Sequence, residues 1–412
     1  MSKKPEKKLL VALDIGTSKI AALVGEIIDD DRIDVIGFGQ HPSHGLKRGV
    51  VVNIESTVQS IQAALEEAEL MAGCEIHSAF TGIAGSHIRS LNSHGIVAIR
   101  EREVCQSDVD RVIDAAKAVA IPADQRILHI LPQEFIIDSQ EGIREPVGMS
   151  GVRLEAKVHI VTGAMSAAQN IVKCVRRCGL QVGDVILEQL ASSFAVLSDD
   201  EKELGVCLID IGGGTTDIAI FTEGAIRHTA VIPIGGDHVT NDVAVALRTP
   251  TKYAESIKIK YGSALVNNIA ADEAIEVPGV AKRPSRQISR KSLAHVVSAR
   301  YEELFSLVQS ELRRSGFEDL MSAGIVLTGG ASAVPGGIDL AESIFQKPVR
   351  LGLPSNVQGL MDVRHNPGYA TGVGLLLYGL KQHEMQQPQS FEFEGGWKSL
   401  WDKMRSWFNG SF

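Results

Sequence analysis

Apolar and polar positions along this chain form blocks that predict strands separated by short glycine turns. Residues 9–27, LLVALDIGTSKIAALVGEI, contain an apolar run, then Asp-Ile-Gly and small hydroxyl residues, then a second apolar run. Residues 205–224, GVCLIDIGGGTTDIAIFTEG, repeat that order. Short apolar runs bounded by glycine are typical of buried strands, so each segment predicts a strand, a tight turn and a second strand. Asp14 and Asp210 lie 196 positions apart (210 − 14), which indicates two related halves.

A third glycine turn is predicted late in the chain. Residues 323–337, AGIVLTGGASAVPGG, contain the apolar strand Ile325–Leu327 and then Gly329, Gly330 and Ala331. A turn of small residues lets a flat base or a ribose lie against the backbone.

The segment between the second and third turns adds a strand, two glycines and two helices. In VIPIGGDHVTNDVAVAL, Gly235 and Gly236 precede a helix whose N-terminus carries a partial positive charge. In TKYAESIKIKYG, Glu255 and Lys258 lie three apart on one helical face. A solvated helix face would carry the same pair, so the spacing alone leaves both interpretations open.

Residues 85–164 have a pattern of their own. It predicts a strand at 88–100, a helix at 108–119 with Ser107 as its N-cap, and strands at 127–137 and 152–162. The pattern therefore predicts a β-α-β-β unit that need not belong to the duplicated core.

The last residues have a helical pattern after a polar stretch. All three tryptophans of the chain fall here, and the apolar positions recur at spacings of three and four: Trp397, Leu400, Trp401, Met404, Trp407 and Phe408. The stretch EMQQPQSFEFEGG before them is expected to be a linker. A helix of about 13 residues is too short to span a bilayer but can lie in its interface, where tryptophan is favoured. Docking on the protein's own core would also explain the apolar stripe, although not the linker.

Composition narrows the classes of protein that this chain can be. It has 412 residues, 44% of them hydrophobic and 22% charged, which suits two or more globular domains. The formal net charge of −9 argues against a general nucleic-acid binder. The first apolar run is too short for a signal peptide, and no apolar stretch approaches the roughly 20 residues of a membrane span. Five cysteines without a Cys-x-x-Cys pair favour a reducing cytoplasm.

The two aspartate-glycine turns have the chemistry of a polyphosphate site. Glycines let the backbone approach and turn its N–H groups toward an anion, and hydroxyls and Lys19 add further donors. The carboxylates of Asp14, Asp210 and Asp217 would repel a bare phosphate, so they predict a cation between, most simply Mg²⁺ held largely through water. The predicted ATP-binding residues of these turns are Asp14, Gly16, Thr17, Ser18, Lys19, Asp210, Gly212, Gly213, Gly214, Thr215, Thr216 and Asp217. Either hairpin alone could be a structural turn with capping aspartates, but two at domain-scale spacing favour the phosphate site.

In this order and spacing, the three turns resemble the actin/Hsp70/sugar-kinase superfamily. The resemblance implies two α/β lobes that close on ATP and Mg²⁺. By position, Gly329, Gly330 and Ala331 match the adenosine motif, and Gly235, Gly236, Glu255 and Lys258 complete the expected nucleotide site.

Within that superfamily the chain resembles the FtsA family, bacterial actin-like cell-division proteins, nearly end to end. The matching stretches include LDIGTSKI, HPSHGLKRGVVVNIEST, DIGGGTTDIA, GIVLTGGAS and GYATGVGLLLYG, together with the inserted domain, the linker and the amphipathic tail. The expected division is a first lobe of residues 1–84, 165–202 and 363–383, an inserted domain of 85–164, a second-lobe core of 203–245 and 312–362, an outer subdomain of 246–311, a linker of 384–396 and a membrane-targeting helix of 397–412.

The resemblance also implies partners. Members of this family are expected to bind ATP, to polymerise on the cytoplasmic face of the inner membrane at the division septum, to hold the C-terminal peptide of FtsZ, and to recruit later division proteins through the inserted domain. The candidate FtsZ contacts are Arg300 and Glu303, expected to be exposed on the helix SARYEELFSLVQSEL. An ordinary charged helix face explains this pair equally well.

No residue in the sequence can be named as the one that activates a nucleophile, so an ATP site does not establish turnover. The expectation is a scaffold protein with slow hydrolysis or none. Two other hypotheses are a small-molecule kinase, which would need a polar substrate cleft and a catalytic aspartate, and a pilus-assembly actin homologue. The tryptophan-rich tail and the end-to-end resemblance argue against the latter.

Overall fold

The computed structural model describes residues 8–29, 32–270, 273–281 and 283–386. The tail residues Trp397, Leu400, Trp401, Met404, Trp407 and Phe408 and all but the first residues of the expected linker lie outside the described residues. In the described part the strands are β1 (Leu9–Ile15), β2 (Lys19–Asp29), β3 (Arg32–Pro42), β4 (Leu46–Lys47), β5 (Val50–Val51), β6 (Ser78–Ile83), β7 (Arg89–Ala98), β8 (Gln125–Ile137), β9 (Gln140–Ile143), β10 (Arg153–Ala164), β11 (Gln181–Leu187), β12 (Val206–Ile211), β13 (Thr216–Thr222), β14 (Ala225–Ile232), β15 (Ala274–Val277), β16 (Arg286–Ser289), β17 (Ile325–Thr328), β18 (Val349–Leu351) and β19 (Val357–Gly359).

The α-helices cover the faces of the sheets. They are α1 (Ile54–Ala72), α2 (Gln106–Lys117), α3 (Met165–Arg177), α4 (Glu188–Val196), α5 (Asp199–Leu204), α6 (Gly236–Ala246), α7 (Thr251–Tyr261), α8 (Arg290–Ser315), α9 (Gly337–Phe345), α10 (Met361–Arg364) and α11 (Ala370–Gln386). Among the described residues, no helix is both long and apolar enough to cross a membrane. All five cysteines are described, and none of them forms a disulfide.

Two sheets share one topology, which confirms the predicted two-lobe α/β architecture. The first has the order β11-β6-β1-β2-β3-β19, and the second has the order β14-β13-β12-β17-β18. In both, a meander of three antiparallel strands is followed by two strands added in parallel on the side of the first strand. The central strands β12 and β13 are buried along their whole length, as expected for strands covered on both faces.

The inserted domain has its own sheet and its own core. Its strands have the order β7-β10-β8-β9, and α2 packs against β7 and β10. The structure adds one short strand, β9, to the predicted β-α-β-β unit. It follows β8 directly and pairs with it in antiparallel orientation before β10 begins. The predicted N-cap Ser107 is wrong: α2 begins at Gln106, and the N-cap is Cys105, whose backbone N–H donates to the Asp108 carboxylate at 3.1 Å.

The inserted domain is fastened to the edge strand β14 of the second lobe by polar contacts. Ser90 Oγ donates to the Thr229 carbonyl at 2.9 Å, and Asn92 Nδ2 donates to the Arg227 carbonyl at 3.2 Å. Gln133 Nε2 donates to the Ile226 carbonyl at 2.9 Å. The edge carbonyls of β14 are thereby satisfied by side chains instead of by another strand.

Three expected boundaries shift in the structure. The boundary at 311/312 falls inside α8, one continuous helix of 26 residues. The strand β19 pairs with β3, so the chain has returned to the first lobe by residue 357 instead of 363. Helix α11 continues through Gln386, so the linker cannot begin at residue 384.

Candidate functional site

Two equivalent hairpins bring their turns to opposite sides of one cleft. The first turn, residues 16–18, joins β1 to β2, and the second turn, residues 212–215, joins β12 to β13. In the second turn the Gly212 N–H donates to the Thr215 carbonyl at 2.9 Å, which closes the loop. The cleft has a volume of about 1560 Å³, including the part open to solvent.

The two turns face each other so closely that glycine is required in the second. Ser18 Oγ donates to Asp237 Oδ1 at 3.0 Å across the cleft. A Cβ added to Gly213 would lie 1.6 Å from Ser18 Oγ, and one added to Gly214 would lie 2.6 Å from Thr17 Oγ1. Thr17 Oγ1 also accepts from the Gly49 N–H at 2.9 Å. A phosphate can therefore approach this backbone only because both positions lack side chains.

The third turn is tied to the second sheet. Gly329 has a φ of +87° and lies where a Cβ would be 2.3 Å from Asp210 Oδ1. The Ala331 N–H donates to the Ile211 carbonyl at 3.0 Å, and Tyr301 Oη donates to the Ala331 carbonyl at 2.6 Å. These contacts hold the third turn beside β12, the strand that contains Asp210. Gly329, Gly330 and Ala331 all line the cleft.

Helices α6 and α7 form another wall. Lys258 Nζ donates to Thr240 Oγ1 at 2.8 Å and lies 2.7 Å from the Glu255 carboxylate. Only 15% of the Lys258 side chain is exposed, and both residues line the cleft, so the pair is part of this wall and not a solvated helix face.

Two of the predicted ATP-binding residues, Thr216 and Gly235, do not line the cleft but pack behind the residues that do. Thr216 is fully buried, and its hydroxyl donates to the Ile234 carbonyl at 2.8 Å. Gly235 packs against the second turn, where a Cβ would meet the Gly212 carbonyl at 2.5 Å. The first N–H groups of α6 donate to the same turn, Gly236 to Gly212 at 2.9 Å and Asp237 to Gly213 at 2.8 Å. The N-terminus of α6 therefore supports the second turn with these N–H groups instead of pointing them into the cleft.

Carboxylates are concentrated at the bottom of the cleft. Burial raises the pKa of Asp14 to about 6 and the pKa of Asp217 to about 8, and it also raises the pKa of Asp210. Glu188, which the sequence did not single out, is partly buried beside them, and burial together with the three aspartates raises its pKa well above the ordinary range. This group of acids strongly favours a cation at the same place.

The hydrogen bonds of these acids leave room for that cation. Asp210 Oδ2 accepts from Ser192 Oγ at 2.6 Å, and Asp217 Oδ2 accepts from Thr215 Oγ1 at 2.9 Å. Asp217 Oδ1 is buried and has no hydrogen-bond partner. No three acidic, histidine or cysteine side chains of the described chain converge closely enough to hold a metal directly. The residues present therefore fit an ion such as Mg²⁺ that keeps several waters and reaches the carboxylates through them.

Lys19 places a cation in the cleft beside the aspartates, in addition to Lys258 in the wall. Burial lowers its pKa to about 8, although Asp14 and Asp210 act in the opposite direction. Its Nζ lies 3.6 Å from the centroid of the Tyr369 ring. A partly buried ammonium that lies over an aromatic face is well placed to donate to an oxygen of an anionic ligand.

Several cleft residues escaped the sequence analysis because they come from distant elements. They are Gln40, Glu188, Asp237, Tyr301, Asn366, Tyr369 and Thr371. One local signal was available: Glu188 directly follows β11, a strand parallel to β6, which is in turn parallel to β1. Polar residues at the carboxyl ends of neighbouring parallel strands meet at the same sheet edge.

The pair predicted to contact a peptide is only partly exposed. The Arg300 side chain is 24% exposed and lies against α6, where its Nε and Nη2 donate to the Asp242 carboxylate at 2.5 and 3.0 Å. Glu303 is 51% exposed and also contacts Arg300. The expectation that both residues are exposed is therefore wrong for Arg300, because Asp242, 58 residues away, already binds its guanidinium.

Comparison with known proteins agrees with this architecture. The family model for cell division protein FtsA matches residues 207–374, and the model for the SHS2 domain inserted in FtsA matches residues 85–162. Among solved structures, the PilM-PilN type IV pilus biogenesis complex is similar with a TM-score of 0.66 and 15% identity, covering 91% of this chain and 99% of that one. MreB5 of Spiroplasma citri bound to AMPPNP has a TM-score of 0.57 at 15% identity, covering 92% and 98%. These two likenesses show an actin-like fold.

Curated relatives match over nearly the whole chain. Cell division protein FtsA of Pseudomonas aeruginosa is 65% identical over 410 residues, which is 98% of both chains. The FtsA proteins of Neisseria meningitidis and of Escherichia coli K12 are 52% and 49% identical, over 99% and 93% of both chains. With the duplicated lobes, the inserted domain and identity at this level, the chain belongs to the FtsA family of actin-like cell division proteins.

Proposed function

We propose that this chain is an ATP-dependent scaffold that polymerises on the cytoplasmic face of the membrane, tethers FtsZ at the division site and recruits later division proteins. The observation that carries the proposal is the meeting of two equivalent glycine turns across a cleft with buried carboxylates at its base. In this scheme the second turn and Lys19 hold the phosphates. Asp14, Asp210 and Asp217 hold Mg²⁺ through water, and the third turn holds the adenosine.

Each part of the site has a distinct task in this scheme. Bound Mg²⁺ would offset the charge of the acids and of the polyphosphate. The Ser18 hydroxyl, which donates to Asp237 across the cleft, is free to rotate and can donate to a phosphate oxygen instead. Such an exchange would make lobe closure depend on the nucleotide. Two solved structures of one fold neighbour support a bound nucleotide, since MreB5 of Spiroplasma citri was solved with ADP and with AMPPNP.

Self-association is supported by fold neighbours as well. The MamK double helical filament is similar with a TM-score of 0.51 at 12% identity. The test is electron microscopy of the full chain on a lipid monolayer with ATP and Mg²⁺, compared with ADP and with no nucleotide. We expect filaments with ATP that are absent without nucleotide, and only slow phosphate release in the same samples. Dispersed particles under all three conditions, or rapid turnover with an added sugar, would instead support a soluble kinase.

The carboxylates give the nucleotide site a defined pH dependence. Because the pKa of Asp14 is about 6 and that of Asp217 is about 8, both take up protons as the pH falls from 8 to 6. Protonation removes charge that attracts Mg²⁺ and that repels phosphate. We therefore expect the gain in ATP affinity on adding Mg²⁺ to shrink over this range, while affinity measured in a chelator rises. Calorimetric titrations at pH 8, 7 and 6 measure both trends.

ATP itself titrates in the same range, so a control variant is needed. Asp217→Asn removes one titrating carboxylate. In this variant, ATP affinity with Mg²⁺ and ATP affinity in a chelator should both depend less on pH than in the original protein. A Mg²⁺ dependence with the same pH profile in the original and in Asp217→Asn would contradict the assignment.

The FtsZ site is proposed at the exposed side of α8, beside Arg300 and Glu303. Reversal of Glu303 to lysine changes a half-exposed charge and leaves the Arg300–Asp242 pair in place, whereas Arg300→Glu also breaks that pair. We expect Arg300→Glu to weaken binding of the FtsZ C-terminal peptide about tenfold or more, and Glu303→Lys to weaken it less. Fluorescence anisotropy with a labelled peptide measures both, and Arg313→Glu, at the far end of the same helix, serves as the control. Peptide affinity unchanged by both reversals would place the site elsewhere.

A further inference from the structure

A second cavity lies where the inserted domain, both lobes and the last described helix meet. It measures about 1240 Å³, part of it open to solvent, and it is separate from the nucleotide cleft. Its walls are mainly apolar and come from α2, β8, α4 and the β13–β14 hairpin, represented by Ile113, Ile130, Leu190, Phe194 and Ile226. Four of these five side chains are at least nine-tenths buried, so the cavity has a well-formed apolar lining.

Two lysines lie at one end of this cavity, and its charged lining also includes Asp110, Asp114, Lys117 and Asp199. Lys202 and Lys381 both lie over the Phe194 ring, with Nζ 5.7 and 4.8 Å from its centroid. Lys202 is only 12% exposed and has Asp199 as a partner at 3.6 Å. Burial lowers the pKa of Lys202, and the neighbouring Lys381 adds to that effect. A ligand that brings apolar groups and a carboxylate would complement this end.

The chain itself carries such a segment just beyond the cavity. Lys381 belongs to α11, which ends five residues later at Gln386, about 7.5 Å further along the helix axis. Residues 387–396 read QPQSFEFEGG, in which Phe391 and Phe393 alternate with Glu392 and Glu394. Five extended residues reach about 17 Å, so Phe391 can return to the wall that contains Lys381. In an extended segment the two rings share one face and the two carboxylates share the other.

We propose that residues 391–394 of this chain dock in the cavity, with the phenyl rings against its apolar walls and a carboxylate beside Lys202 and Lys381. The short connection to α11 makes the contact intramolecular, with an effective concentration in the millimolar range, so weak intrinsic affinity is sufficient. Docking leaves only residues 395 and 396 between the globule and Trp397. The tail would therefore leave the protein at the junction of the inserted domain with the two lobes.

The test is photo-cross-linking in the full chain. Phe393 is replaced by p-benzoylphenylalanine, which keeps an aromatic ring, and Gln389 is replaced in the control. After irradiation, mass spectrometry should find cross-links from position 393 to peptides of α4 or of the β13–β14 hairpin, at several times the yield from position 389. Lys381→Glu should lower this yield several-fold, while Lys252→Glu, an exposed lysine on α7, should not.

Isotopic mixing distinguishes the possible occupants. When ¹⁵N-labelled and unlabelled proteins are mixed before irradiation, cross-links should join positions within one chain. Links between heavy and light chains would mean that a neighbouring copy fills the cavity. That result, links to other surfaces, or a yield unaffected by Lys381→Glu would overturn the proposal.

Discussion

The Gly213→Val variant is expected to lose ATP binding by at least a hundredfold while remaining folded. The added Cβ would lie 1.6 Å from Ser18 Oγ and 3.2 Å from Asp237 Oδ1. Ser18 would have to leave, and the new side chain would then occupy the space that the phosphates need. A hundredfold loss corresponds to about 2.7 kcal/mol of binding free energy.

Two further variants separate this effect from a general loss of stability. Gly213→Ala should behave like Gly213→Val, because the clash begins at Cβ. Gly183→Ala, on β11, is the matched control, since its added Cβ would meet no atom closer than 3.4 Å. Calorimetric titration with ATP and Mg²⁺ measures affinity, and thermal unfolding checks the fold. Full ATP affinity in Gly213→Val would remove the nucleotide from this cleft and with it the basis of the proposed polymerisation.

The local part of this site is what the sequence predicted. The aspartates, glycines and hydroxyls of the two turns follow apolar strands directly, so their positions depend on hairpin geometry over a few residues. The duplication could be predicted for the same reason, because β1–β2 and β12–β13 carry the same local pattern. What these turns contact is a property of the whole fold. Ser18 and Asp237 are 219 positions apart, so their hydrogen bond depends on how the two lobes pack.

Residues that act through tertiary packing were missed or misplaced. Arg300 looked exposed on its own helix, but the crossing of α6 over α8 places Asp242 against it. Ser107 is the better N-cap residue by type, yet the helix begins one residue after Cys105, where Asp108 can accept from the Cys105 N–H. Thr216 and Gly235 were expected to contact a ligand, and they instead support the second turn from behind. For Arg300, Thr216 and Gly235 the deciding neighbours are distant in sequence, whereas the N-cap depends on a residue in the first turn of its own helix.

The buried acids connect stability to ligand binding. Groups whose pKa is raised in the folded state bind protons more tightly there than in the unfolded chain. Without a cation, the free energy of unfolding therefore falls as the pH rises from the ordinary pKa of 3.8 to about 6 for Asp14 and to about 8 for Asp217. A bound divalent cation would reverse that penalty. The arrangement therefore favours a protein that is most stable when the cleft is filled.

The largest effect outside the cleft is expected from the tail, residues 397–412. Intact protein should co-sediment with vesicles that contain anionic lipid, and a chain that ends at Gly395 should stay in the supernatant. Burying the six apolar side chains of the stripe could contribute on the order of 10 kcal/mol, and ordering about 13 residues opposes this by a similar amount. One tail should therefore bind weakly, and stable attachment should need many tails on one polymer.

Two point variants test whether the stripe itself makes the contact. Trp401→Glu places a charge on the apolar face and should reduce co-sedimentation nearly as much as the truncation. Ser399→Glu adds the same charge on the polar face, so it is the matched control. It should weaken only the part of vesicle binding that comes from electrostatic attraction to anionic lipid, and added salt should weaken the same part. Both are compared with the intact chain in the presence of ATP, because a polymer amplifies small differences per tail. If the chain ending at Gly395 pelleted with vesicles as well as the intact protein, the tail would not be the anchor, and a contact from the folded lobes would have to replace it.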